Sequence, residues 1–157
     1  MTMVSPTEAR NATAPISELA GSSGLELVAR LADGSIRRPS KAETLQFTLL
    51  PPEKGMVELL ATPKPRFCNL TNTVHGGWIM TMLDTAMALA AQTTLSPGET
   101  CPSHETTAKF VRPTSIDSGH VVSRGRTVIT LEGKIEAAEG RLHAHGTSTC
   151  LVASRKP

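Results

Sequence analysis

The sequence predicts an α+β fold in which one antiparallel sheet wraps a single central helix, with that helix set against a copy of itself in a dimer. Three observations lead there. Only the stretch 69–91 runs into a long helical pattern; two β-rich runs precede it and four follow it; and short turn compositions separate the runs.

In chain order, residues 1–15 mix Ser, Thr, Pro, Asn and Ala without period and read as a tail. Residues 16–31 hold a short helix, with Ser22 or Ser23 as the cap and Leu25, Leu27, Val28 and Leu31 as its apolar positions; Asp33-Gly34 ends it. Arg37-Arg38-Pro39-Ser40 reads as a solvated linker. The chain therefore divides into residues 1–40, a tail with a short helix, and 41–157, one α+β domain large enough to bury its own core. Residues 44–50 and 56–61 are β-rich and joined by Pro51-Pro52-Glu53-Lys54-Gly55, which predicts a hairpin. Beyond the helix, Ser96-Pro97-Gly98-Glu99 makes a turn, and strands are expected at 103–111, 119–129, 131–136 and 142–152.

The central helix carries two stripes. Ile79, Met82, Leu83, Ala86, Met87, Leu89 and Ala90 recur at three and four, the spacing of a face buried on a sheet. Gly77, Thr81, Asp84, Ala88 and Ala91 form a second stripe of small residues holding one carboxylate. Small side chains admit another backbone, and no second long helix exists in the chain, so a homodimer follows.

Charge and composition exclude several classes. A net charge of +2, a pI near 8.6 and 3% aromatic residues give no footprint for nucleic acid. Cys68, Cys101 and Cys150 fit no zinc spacing, and an odd count argues against a disulfide framework, so a reducing cytoplasm is expected. No signal-peptide pattern or membrane-length apolar run is present. His143 and His145, two apart, would share one face of a strand, but no third ligand accompanies them and no metal is assigned. Gly-x-Ser-x-Gly and Gly-rich phosphate loops are absent.

The start of the helix carries the chemistry. Its first turn has backbone N–H groups without intrahelical partners and a partial positive charge, and Gly76 and Gly77 leave the approach to them open. A carbonyl or an anion can come close there.

Asn69, His75, Gly76, Gly77 and Asp84 together resemble the signature Asn-x-x-Gly-x-x-His-Gly-Gly, followed by an acidic residue, of the hotdog-fold acyl-coenzyme A thioesterases, in particular the phenylacetate-pathway-like subfamily. Residues 104–113, His-Glu-Thr-Thr-Ala-Lys-Phe-Val-Arg-Pro, look like the strand after the central helix in these proteins, residues 119–153 like the remaining strands, and Gly24-Leu25-Glu26-Leu27 resembles a short helix often found ahead of the fold. The family Gly is replaced by Asn72, which also tolerates a left-handed backbone, so the turn is expected to be kept.

Spacing and resemblance then agree on a shared site. Gly76 and Asp84 lie about 12 Å apart along one helix, too far for one carbonyl to touch both, whereas antiparallel packing of two helices brings the Gly76 N–H of one chain to the Asp84 of the other. The resemblance implies hydrolysis of acyl-coenzyme A with aromatic or medium-chain acyl groups. Gly76 would polarise the thioester carbonyl and Asp84 would act as nucleophile or general base; Asn69 would position water or leaving group, His75 would orient the loop or hydrogen-bond near the thioester, and Ser103 would hold the water. Gly77 and Arg112 are substrate-binding candidates, and Arg124, Arg126, Lys64 and Arg66 are further candidates for the phosphates of coenzyme A. No cofactor is expected, because the thioester brings its own activated bond. The expected assembly is a homodimer or a dimer of dimers. The alternative is a non-catalytic acyl-coenzyme A-binding protein, a role in which Asp84 would have no use.

Overall fold

The computed structural model describes residues 21–114, 120–126 and 129–154. The expected tail at 1–15, the first residues of the 16–31 helical region and Gly119 lie outside them.

Helix α1, Gly24–Asp33, is the expected short helix. Ser23 caps it: its hydroxyl accepts the Glu26 N–H at 3.3 Å, while the Glu26 carboxylate accepts the Ser23 N–H at 2.7 Å, a reciprocal capping box. These bonds, the backbone one first, hold the Glu26 carboxyl below its usual range. Gly34 closes α1 in the left-handed conformation. Arg38 is not a solvated linker residue. Its Nε and Nη2 donate to the carbonyls of Leu31 and Ala32 at 3.0 and 2.9 Å, satisfying acceptors at the end of α1.

The run expected as a strand at 44–50 begins as helix. Residues Ser40–Leu45 form α2, in which Ala42 and Leu45, three apart, are both buried, and Gln46 turns out of it at φ 56°. Strand β1 is only Phe47–Leu49, paired antiparallel with β2, Met56–Ala61, in the expected hairpin. A 3-10 turn, Pro65–Phe67, then leads to the central helix α3, Gly76–Gln92. After it come β3, Glu99–Thr100; β4, Ser103–Phe110; β5, His120–Arg126; β6, Thr130–Glu136; β7, Leu142–Cys150; and β8, Ala153–Ser154. Six strands make one antiparallel sheet in the order β1-β2-β5-β6-β7-β4, and β3 pairs with β8 in a small ribbon that the sequence did not announce.

The sheet wraps α3, whose Met82, Leu83, Ala86, Met87 and Ala90 are wholly buried. Close approach is possible because Gly133 of β6 and Gly146 of β7 face each other in register. A Cβ at Gly133 would lie 3.1 Å from Met87, and one at Gly146 3.4 Å from Leu83. Truncating Leu83 to Ala in such a core costs on the order of 2–5 kcal/mol. Gly24, the first residue of α1, docks on the far end of α3: its N–H donates to the Leu95 carbonyl at 2.9 Å, and any Cβ there would collide with the Gln92 carbonyl.

The small-residue stripe is only partly available to a second helix. Gly77 and Thr81 are exposed and Asp84 and Ala88 half-buried, but Ala91 is buried within the chain's own core. His143 and His145 also do not share a face. The β6–β7 ladder slips where Ile135 faces Ala144 and Glu136 faces Leu142, so His143 is the extra residue; it is buried with Nδ1 3.0 Å from the Pro113 carbonyl, while His145 is exposed.

Candidate active site

The loop that feeds α3 is built by Asn69. Its Oδ1 accepts from the Thr71 N–H at 3.0 Å, the Thr71 hydroxyl at 2.7 Å and the Thr73 N–H at 3.2 Å, and its Nδ2 donates to the Thr73 hydroxyl at 2.9 Å. The side chain expected to position water is thus engaged in holding the turn. Asn72 takes the left-handed conformation, φ 59°, where the related signature has Gly. The loop ends on His75, whose N–H donates to the Phe67 carbonyl at 2.8 Å.

His75 caps α3. Its Nδ1 accepts the Gly77 N–H at 2.9 Å, so this nitrogen carries no proton while the bond stands. A Cβ at Gly77 would lie 2.9 Å from Nδ1, which is why the imidazole can reach only across a glycine. The His75 carbonyl takes the Trp78 N–H at 2.9 Å. Among the described residues the Gly76 N–H has no acceptor, which leaves it as the unpaired donor at the positive end of the helix. The ring of Phe110 lies against Gly76; a Cβ there would be 3.2 Å from its Cζ. Two open clefts, of about 380 and 360 Å³, flank the helix start. Gly77, His75, Cys68, Trp78 and Arg66 line the first, and Gly76, Phe110, Arg112 and Thr73 the second.

Asp84 sits two turns further along α3, half-buried, on the side that faces β4. The hydroxyl that reaches it is that of Thr106, 3.2 Å from Oδ1. Ser103 lies exposed at the start of β4, with Oγ 4.0 Å from the Cys150 thiol. A bulge between Ser103 and Glu105 changes the phase of the strand, so Thr106 and Ala108 turn toward the helix. Thr106 and Ser148 are the functional candidates that sequence reasoning missed. Ser148, buried, is the register partner of Thr106, and the two hydroxyls lie 3.0 Å apart.

Of the basic candidates, Arg112 donates to the Leu142 carbonyl at 2.8 Å on the rim of the second cleft. Arg66 lies over the Phe67 ring, 5.0 Å from its centroid, and donates to the Thr44 carbonyl. The side chains of Arg124 and Arg126 lie outside the described residues. Cys68 is half-buried, lining the cleft beside His75. Among the described residues no group of three metal-ligating side chains occurs, and no helix is long and apolar enough to cross a membrane.

A helix held in a curved antiparallel sheet, with an unpaired N–H at its start and a carboxylate two turns on, is the hotdog arrangement. Residues 71–144 match the thioesterase superfamily. A phenylacetic acid degradation-related protein of Ralstonia eutropha is 27% identical, superposes with a TM-score of 0.70, and aligns over 78% of this chain and 97% of its own. PaaI of the Escherichia coli phenylacetic acid degradation operon is 17% identical, with a TM-score of 0.68 over 85% and 94% of the two chains. Streptococcus mutans smu.793, solved bound to acetyl coenzyme A, is 19% identical, with a TM-score of 0.62 over 71% and 91%. A comparison with the curated proteins finds no match.

Proposed function

We propose that this protein hydrolyses acyl-coenzyme A thioesters to the free acid and coenzyme A, at sites shared between two copies of the chain. The observation that carries the reading is the unpaired Gly76 N–H at the start of the helix whose Asp84 carboxylate stands two turns away, half-exposed and held by Thr106. The match of residues 71–144 to the superfamily and the similar structure solved with acetyl coenzyme A support it.

In this reading the thioester carbonyl accepts from Gly76 of one chain, so the charge that grows on oxygen meets a fixed donor. Asp84 of the second chain either takes the proton of an attacking water or attacks the carbonyl carbon itself; the C–S bond then breaks and the thiolate leaves, and in the second route water then cleaves the acyl–aspartate anhydride to free the acid and regenerate Asp84. His75 and Asn69 shape the loop that presents Gly76, and Gly77 lies beside it. In the same reading Arg112 and Arg66, which line one cleft each, meet the phosphate groups of coenzyme A. A second copy is supported by the exposed edge of β4, where Phe110 and Val111 are 56% and 46% exposed, and by the open Gly77–Thr81 end of the helix stripe.

The test is release of free thiol from a panel of acyl-coenzyme A substrates, aromatic and aliphatic, with no metal added. Turnover is expected. Binding of the panel without thiol release, by a folded oligomer, would mean a non-catalytic acyl-coenzyme A-binding protein instead.

A further inference from the structure

The Asp84 carboxylate is the near end of a chain of hydroxyls that holds fewer protons than hydrogen-bond contacts. Ser148 Oγ lies 2.8 Å from the Glu105 carbonyl oxygen, which can only accept, so the serine proton is drawn there. Thr106 has one hydroxyl proton and two acceptors within reach, Ser148 Oγ at 3.0 Å and Asp84 Oδ1 at 3.2 Å. The first of these contacts is held by the backbone register, because Thr106 and Ser148 are opposed in the β4–β7 ladder and Ser148 is only 3% exposed.

We infer that Ser148 is a positioning residue for the carboxylate: it is the alternative acceptor that lets the Thr106 proton swing away from Asp84 when Asp84 takes up a proton. An ionised carboxylate is the stronger acceptor and draws the Thr106 proton. Once Asp84 is protonated that advantage disappears, and Thr106 donates to Ser148 without losing a hydrogen bond. Ser148 thereby favours proton uptake by Asp84, the step a general base performs. The inference rests on the proposed role of Asp84.

The other described titratable groups near α3 are placed elsewhere. On the strands packed against it, Glu58, Glu105, Lys109, Glu132, Lys134 and His145 alternate away from the buried positions. His104 is exposed at the bulge, His143 is bound at the Pro113 carbonyl, and Glu26 of α1 is engaged with Ser23. His120, Arg124 and Arg126 belong to β5, and their side chains lie outside the described residues.

The experiment compares the pH dependence of kcat/KM in wild type, Ser148→Ala, Ser148→Cys under thiol reductant, Thr106→Val and Thr106→Ser. The Cys variant keeps the size of the side chain if the Ala variant fails to fold. Without Ser148 the Thr106 proton stays on the carboxylate, so the acid limb moves down by about half to one pH unit. Thr106→Val removes the donor from the ionised carboxylate, so its limb moves up by a similar amount, and Thr106→Ser keeps the wild-type limb. A purely structural role for Ser148 would lower stability or rate and leave the limb in place, and that result in a folded Ser148 variant overturns the inference. Asp84→Asn separates the two levels. If it keeps wild-type activity, the reading of Asp84 falls and the inference with it; if it is inactive while the Ser148 limbs stay put, only the inference falls.

Discussion

Gly76 and Asp84 lie on one unbroken helix, eight positions apart, with the Gly76 N–H unpaired and the Asp84 carboxylate facing β4. At about 1.5 Å per residue they are separated by roughly 12 Å along the axis, so one thioester cannot touch both in a single chain. Co-refolding Asp84→Asn with an Asn69→Ala, His75→Ala double variant should therefore restore activity. Random pairing makes about half the dimers mixed, each with one intact site, so roughly a quarter of wild-type turnover is expected. Mixed dimers confirmed by mass but inactive would place the whole site in one chain.

Asp84→Asn alone keeps the shape and removes the charge. A fall in kcat of at least about 10²-fold is expected, the low end for loss of a general base. Steady-state thiol release measures it, and near-normal turnover would move the chemistry to another group.

The Ser23–Glu26 capping box predicts a pH-dependent contribution to stability. The folded state holds the Glu26 carboxyl below its usual range, so the contribution is present above the ordinary glutamate value and is lost as pH falls through the lowered one. Ser23→Ala should lower Tm by about 2–4 °C near neutrality. The difference from wild type should shrink below about pH 4.

The three cysteines should separate by reactivity. Burial first, and the neighbouring Cys150 second, push the Cys101 thiol up to about 11, and Cys101 and Cys150 are both buried whereas Cys68 is half-buried at the cleft. Alkylation of the native protein at pH 8, followed by mass mapping, should modify Cys68 first. Since the folded thiol is the harder one to ionise, stability is retained below the ordinary thiol range and falls as pH rises from about 8.5 toward 11.

Gly24→Ala should destabilise the fold although it replaces glycine in a helix with the best helix former. The new methyl would meet the Gln92 carbonyl oxygen 1.7 Å away, so α1 must shift off the end of α3. A lower Tm than wild type is expected, and an unchanged or higher one would mean that α1 is not docked there.

Sequence reached furthest where function and structure use local geometry. The apolar period fixed the face of α3, and the Asn72 turn and the Ser23 cap are visible because each depends on neighbours within a few positions. What escaped depends on distant pairing. Thr106 reaches Asp84 because a bulge shifts the phase of β4 and makes it the next residue after Ser103 on that face, and Ser148 joins them through a register with a strand forty residues later. His143 left the face of His145 through a slip in another ladder. Helix α2 is too short for a period to emerge, and its Thr-Leu end continues into β-rich sequence that reads as one strand.

The bond from Gly24 to Leu95 ties the first described helix to the far end of the central one, across the β1–β2 hairpin and the whole of α3. Closing that loop of roughly seventy residues is entropically costly until α3 exists to receive it. Helix α1 therefore has to arrive late in folding and leave early in unfolding, so its amides should exchange with solvent before those of β6 and β7. On the ribosome the order of synthesis is reversed with respect to the order of assembly: α1, made first of the described helices, must wait for this partner until residue 95 has emerged.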